Sequence, residues 1–223
     1  AFIKLASGAL QLDTCRFVIA GAHIQVQAFY KPLLTNAAVF TLQIRADSFD
    51  VQRAYKEVPL FAEMASAARY TRGRASLEYE LNGKLNSHMY PIMPSLVGKG
   101  WVKLEDVQVK GLKLFNAVGK ATGKDSLNNP NLKAVVINSQ IANNIITLPR
   151  TRMRVFGFRP GMEGQIGLNG SLNLQFRLGL PPFGILGIPM SITGTSDKPL
   201  VKLRRSRPED ELDTEAEEAE EKE

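Results

Sequence analysis

The chain has 223 residues, 44% of them hydrophobic, which suffices to bury a core in one large domain or two small ones and excludes disorder over most of the length. Its formal charge of +6 hides two opposite parts: residues 209–223 carry ten carboxylates and one lysine, a net of −9, and the remainder holds 27 basic and 12 acidic residues, a net of +15. The basic residues lie singly along the chain apart from Arg150-Thr-Arg-Met-Arg154 and Arg204-Arg-Ser-Arg207, so a solvated outer face accounts for them better than an anion-binding patch.

In chain order, Ala1-Phe-Ile-Lys-Leu-Ala6 opens in the middle of an alternating pattern, and the expectation is a longer protein with a targeting segment upstream. Alternation predicts strands over 1–6, 9–12 and 15–20; the lone Cys15, which excludes an internal disulfide, packs there as a small apolar residue. His23-Ile-Gln-Val-Gln-Ala28, Ala38-Val-Phe-Thr-Leu-Gln-Ile-Arg45 and Arg74-Ala-Ser-Leu-Glu-Tyr-Glu-Leu81 each place apolar side chains on one face and polar ones on the other. Between the second and third, Val51, Ala54, Tyr55 and Val58 fall at helical spacing behind Ser48 or Asp50 as cap, and Pro59 opens a second turn through Leu60, Phe61 and Met64.

Asn82-Gly83 reads as a tight turn, and strands follow at 101–104 and 106–110, with Glu105-Asp106 as a hairpin turn. The stretch Gly111-Leu-Lys-Leu-Phe-Asn-Ala-Val-Gly-Lys-Ala-Thr-Gly-Lys124 has two Gly-Lys pairs but fails the phosphate-loop spacing: Leu114 and Val118 stand where the first glycine belongs, and Ala121 and Asp125 replace the hydroxyl residue. It reads instead as a short helix over 112–118 stopped near Gly119 or Gly123. Further strands are expected at 132–138, 144–148, 151–157, 163–169, 171–178 and 188–193, with Asn169-Gly170 as a turn. The uncharged run 178–196 contains Pro181, Pro182, Pro189 and four glycines, which break a spanning helix and make 181–187 an apolar loop. Residues 204–223 form a solvated tail.

Catalytic and metal chemistry finds no constellation. His23 and His88 have no ligand partner at useful spacing; Glu78 and Glu80, two apart on one strand face, read as a soluble face, and Trp101 as a packing anchor. Arg152-Met-Arg-Val-Phe-Gly-Phe-Arg159 is the one candidate for stacking single-stranded nucleic acid, with Phe156 and Phe158 expected on the face of Arg152 and Arg154. The reading is a non-enzyme with no cofactor, no metal and no nucleic-acid partner.

The series Gly98-Lys-Gly-Trp-Val-Lys-Leu-Glu-Asp-Val-Gln-Val-Lys-Gly111, helix Leu112-Lys-Leu-Phe-Asn-Ala-Val118, Leu132-Lys-Ala-Val-Val-Ile-Asn-Ser-Gln-Ile141, Gly164-Gln-Ile-Gly-Leu-Asn-Gly170 and Ile188-Pro-Met-Ser-Ile-Thr-Gly-Thr-Ser-Asp-Lys-Pro199 resembles the C-terminal region of the AsmA family of bacterial envelope proteins, related to the TamB and YhdP group. It departs from that family at Glu105-Asp106-Val107, where Asp/Asn-Gly is usual, and in its acidic tail. The likeness covers about residues 74–203, the part before it being similar to the preceding part of the same region. It implies a periplasmic protein held in the inner membrane by an N-terminal helix and serving outer-membrane homeostasis through phospholipid transport.

The expected fold is mainly β: a single region 1–203, made of leading strands and a helix over 1–73 and a core motif over 74–203. A large antiparallel sheet, groove-like or partly closed, curls there with two short helical segments covering or plugging it. Ile24, Val26, Leu42, Ile44, Leu77, Tyr79, Leu172, Leu174 and Phe176 are expected to face the interior, either as a groove for phospholipid or as a core plugged by the helices. The alternative function is an interaction module that caps an envelope bridge and docks a membrane or envelope protein through the loop of Pro181, Pro182, Phe183 and Ile185 or through the acidic tail.

Overall fold

A computed structural model describes residues 2–6, 8–33, 37–132, 135–155, 157–181, 184 and 186–205. The first half consists of β1 (Phe2–Ala6), β2 (Ala9–Ile19), β3 (Ala22–Pro32), β4 (Ala38–Asp50), helices α1 (Val51–Glu57) and α2 (Pro59–Met64), and β5 (Thr71–Leu85). The second consists of β6 (Val97–Val109), α3 (Lys113–Thr122), β7 (Asn131–Leu132), β8 (Val135–Ala142), β9 (Ile145–Arg152), β10 (Arg159–Gly167), β11 (Leu172–Gly179), β12 (Gly187–Thr195) and β13 (Lys198–Leu203). The sheet is antiparallel, as the alternation implied, and is curled and not closed; among the described residues three short α-helices accompany it, α1 and α2 in the first expected helical segment and α3 in the second.

Each strand pairs with its sequence neighbours except around α3. There β6 has two partners on one side: Val107 and Gln108 pair with β7, while residues from Gly98 to Leu104 pair with β8. The chain leaves the sheet through α3 and returns beside the strand it left.

Strands predicted in two pieces are single bulged strands. In β2 two residues, Asp13 and Thr14, stand opposite one, Gln27, so Leu12 and Cys15 both point to the apolar side. In β6 the extra residue is at Asp106, φ 48°, so Leu104 and Val107 share that side, and Glu105-Asp106 is no hairpin turn. A bulge shifts the phase of the alternation, which in the sequence looks like a strand ending. Gly73, φ 133°, faces this bulge, where a Cβ would lie 2.9 Å from the Asp106 carbonyl oxygen. A third bulge in β4 leaves Ser48 at φ 53°, its N–H donating to Ser76 Oγ at 2.9 Å.

Asn82-Gly83 is also not a turn, because β5 runs through it to Leu85. Asn82 Oδ1 accepts from Thr41 Oγ1 across the strands at 2.8 Å, and a Cβ on Gly83 would meet Leu96 at 2.9 Å and Phe40 at 3.1 Å. Glycine is needed there for close packing rather than for positive φ.

The helices start and stop as their end residues dictate. Asp50, not Ser48, caps α1, its carboxylate accepting from Arg53 N at 2.8 Å. Pro59 is the first residue of α2, where its missing N–H costs nothing. Helix α3 runs past the predicted 112–118 and stops only at Gly123, left-handed at φ 65°. Gly119 lies inside it, where a Cβ would meet Asn128 Oδ1 and, at 3.1 Å, the Lys124 carbonyl oxygen.

All three helices pack onto one face of the sheet. Val51 and Ala54 of α1 join Ile24, Val26, Ala46, Phe49 and Ala75 in one buried cluster, with Phe61 of α2 edge-on to Phe49 at 5.7 Å. Val118 of α3 joins a larger cluster with Val107, Leu132, Leu174, Leu178, Met190 and Ile192. Helix α3 also touches the edge strand β13, and Arg69, in the 3₁₀ turn Ser66–Tyr70, donates to Asp197 beside that strand at 3.3 Å. The second half is therefore curled until its last strand meets the helix that follows its first.

Candidate functional site

The nine predicted interior residues lie on this one face, in three clusters. Ile24 and Val26 are buried under α1, with Leu42, Ile44 and Leu77 packed against the same cluster. Leu42 and Tyr79 also touch a small cluster of Leu81, Leu96 and Ile141. Leu172, Leu174 and Phe176 are buried in the cluster that includes α3, Leu174 at 1% exposure.

Register joins these clusters into one lane. Ile3, Leu12, Ala28, Leu42, Leu81 and Gly98 are successive cross-strand partners, and the row continues through Ile141, Ile146, Ile166 and Leu172. Ten strands spaced about 4.8 Å apart give it an arc of about 40 Å. Its burial is graded. Leu172, Ile141 and Leu81 are 8%, 2% and 4% exposed, Ile146, Ile166, Leu42, Ala28 and Leu12 are half-buried, and Ile3 is 63% exposed. Leu5 and Leu10, partners in the adjoining row, are also exposed. The helices cover the lane in the middle and second half and leave it bare at the β1 edge.

Tyr79 stands on β5 against the cluster of the buried Leu81. Its ring lies across β6 over Gly100, whose Cβ would be 2.6 Å from the ring, and its hydroxyl hydrogen-bonds to Ser139 Oγ on β8. Burial pushes the phenol pKa up, partly countered by the Ser139 bond. At the C-terminal end of α1, the exposed Glu57 carboxylate accepts from Ala20 N at 3.0 Å and from Arg53 Nε at 3.1 Å. The Ala20 bond first and the Arg53 bond second hold its pKa below the ordinary carboxylate value.

The other expected sites are placed as follows. Pro181 is exposed, while Pro182, Phe183 and Ile185 lie outside the described residues, as does the tail from 206. Arg177 alternates with the apolar-face residues Phe176 and Leu178 of β11, yet is 6% exposed; its guanidinium lies over Gly187 and donates to the Gly184 carbonyl at 2.9 Å. The stacking platform is not formed as expected. Strand β9 ends at Arg152, Phe156 is outside the described residues, and Phe158 is buried in the core cluster with Met153 and Val155 while Arg152 and Arg154 are exposed.

His23 and His88 are exposed, and among the described residues no group of His, Cys, Asp and Glu is placed to hold a metal ion. Among the same residues no helix is long and apolar enough to cross a membrane.

One site escaped the sequence altogether. The polar face is hollow across β3–β9, with a volume of about 620 Å³. Gln43, Arg45, Glu78, Glu80, Lys99 and Trp101 are among its lining residues, so the paired glutamates and the lone Trp share one concavity. Alternation marks the polar side of a strand but carries no information on how the sheet bends, and no sequence signal separates this concavity from an ordinary wet face.

What the fold and site define is a class: an open, curled, antiparallel sheet with an apolar face partly covered by helices and a hollow polar face. Comparison with protein-family models, with curated proteins and with solved structures finds no match to the chain.

Proposed function

We propose that the chain is a non-catalytic segment of an AsmA-like protein of the bacterial periplasm, anchored in the inner membrane by its upstream part, which shields phospholipid acyl chains along the apolar lane of its sheet. The observation that carries this reading is the grading of that lane: in register over ten strands, bare at Ile3 and beside it at Leu5 and Leu10 of the adjoining row, and closed under the helices at Leu172. Each acyl CH₂ transferred from water to such a surface gains about 0.8 kcal/mol, so extraction of a tail needs no catalytic group. The first half is the lipid-bearing arm and the helix-plugged second half its stop.

The test is photo-crosslinking in cells, with a photoreactive residue at Leu10, at its polar-face neighbour Gln11, or at Leu174 in the full-length protein. The reading expects phospholipid adducts at Leu10 and none at Gln11 or Leu174. Folded variants without lipid adducts at Leu10 would overturn it.

A second reading, a docking module that caps an envelope bridge, draws on the plugged second half and on Leu200 and Leu203, exposed along the edge strand β13. Protein adducts at Leu200 together with no lipid at Leu10 would favour it.

A further inference from the structure

On the face opposite the apolar lane, the register builds a second set of rows. Gln27, Gln43, Glu80, Lys99 and Gln140 are successive cross-strand partners, and beside them run Gln25, Arg45, Glu78, Trp101 and Asn138. All ten line the 620 Å³ hollow. We infer that this hollow binds an oligosaccharide chain.

Four properties select that ligand class. Five of the ten side chains are amides, each offering a donor and an acceptor: Gln27 and Gln43 are partners on adjacent strands about 4.8 Å apart with Gln25 beside them, and Asn138 and Gln140 stand together on β8, so both ends of the hollow can meet sugar hydroxyls. The fixed charges balance: Arg45 and Lys99 face Glu78 and Glu80, so the hollow lacks the surplus of cations that a nucleic acid or another polyanion requires. Trp101, half-buried in the wall, supplies an indole against which the C–H face of a pyranose ring packs, while its polar surroundings exclude an acyl chain. Finally, the floor is the middle of a sheet whose backbone groups are already paired across β4, β5, β6 and β8, so an extended peptide finds no free edge to add to.

The hollow also has length. A second concavity of about 510 Å³ shares Gln27 and Gln43 with the first and adds Asp13 and Phe29 from β2 and β3. Phe29, 37% exposed, lies three strands from Trp101 and four residues along, about 20 Å away by strand spacing and rise. Two aromatic surfaces that far apart, joined by amide rows, fit a chain of several sugars rather than a single ring.

The chain has one tryptophan, and it stands in the proposed site, so its fluorescence reports on that site alone. The intact chain is titrated with the hexasaccharides of β-1,4-linked N-acetylglucosamine and of β- and α-linked glucose, and separately with a single-stranded oligothymidylate. Calorimetry is run in parallel. The expected result is a saturable shift in Trp101 emission with at least one hexasaccharide at millimolar concentration or below, weakened at least tenfold by Gln43→Ala combined with Asn138→Ala. Both positions are exposed, and unchanged circular dichroism and unchanged ligand-free emission establish that the double variant is folded. No emission change or heat with any of the sugars overturns the proposal. So does sugar binding that the double variant leaves intact, and so does oligothymidylate binding with none of the sugars bound. Lipid adducts at Leu10, on the other face, are read independently of all three results.

Discussion

The two halves of the sheet use the same alternating strands for different ends. In the first half, β1 and β2 present Ile3, Leu5, Leu10 and Phe17 on the apolar face with 38–76% exposure, and α1 and α2 reach only as far as the clusters around Ile24 and Leu42. In the second half the same face is sealed: Leu174, Leu178, Met190 and Ile192 are at most 1% exposed, and α3 closes the gap to β13. The strands are alike in pattern; what differs is how far the sheet curls and where a helix is inserted. Alternation creates an apolar face, and the helices decide whether that face is a core or a surface.

The largest expected effect separates the halves directly. Leu174→Ala removes a fully packed side chain and is expected to lower stability by about 2–5 kcal/mol, whereas Leu5→Ala, at an exposed position, stays within about 0.5 kcal/mol. Urea denaturation of both variants checks this, and equal losses would abolish the distinction between core and surface. At the seam, Gly100→Ala sets a methyl against the Tyr79 ring and the Glu78 carbonyl and is expected to cost about 1–3 kcal/mol. Tyr79→Phe leaves the ring in place, removes only the bond to Ser139 and is expected to cost about 0.5–1.5 kcal/mol.

Two smaller effects sharpen the picture at the joints. Glu57, whose pKa is lowered in the folded state, stabilises the α1 end of the first half above the ordinary carboxylate range, and that contribution is lost as pH falls through the range to the lowered value. Wild type should therefore lose stability in acid faster than Glu57→Gln, and parallel acid melts of the two proteins test it. The Arg69–Asp197 pair bridges the halves but is 43% and 65% exposed, so Asp197→Asn should change stability by less than about 1 kcal/mol, measured by thermal melting at low and high salt.

The features legible in the sequence were those whose physics is local. Pro59 at the start of α2 is legible outright, and the cap of α1 and the stop of α3 are each narrowed to two residues, Ser48 or Asp50 and Gly119 or Gly123, because they depend on backbone groups within a turn of the residue concerned. What escaped notice depends on residues far away in the chain. Asp106 and Ser48 take up positive φ without glycine, because the partner strands Gly73 and Ser76 make the bulges fit. Gly83 resembled a turn residue and is a packing residue, as only the positions of Phe40 and Leu96 reveal. Arg177 occupies a polar slot in an alternating strand yet is buried, since Gly187 on β12 leaves room for its guanidinium. The site divided the same way. All nine interior residues could be assigned to one face from period two, but neither the bare end of their lane nor the hollow behind it could be, because both depend on sheet curvature.

The pairing of sequence neighbours has a mechanical consequence. Pulled by its two termini, a meander opens like a zipper, one strand at a time, because the load falls on successive ladder bonds rather than on all of them together. The first half contains little that opposes such peeling from the β1 end. The second is cross-braced, since α3 lies against β13 and β6 is bonded to both β7 and β8. A single-molecule extension trace should accordingly show a low, drawn-out lengthening followed by one abrupt release.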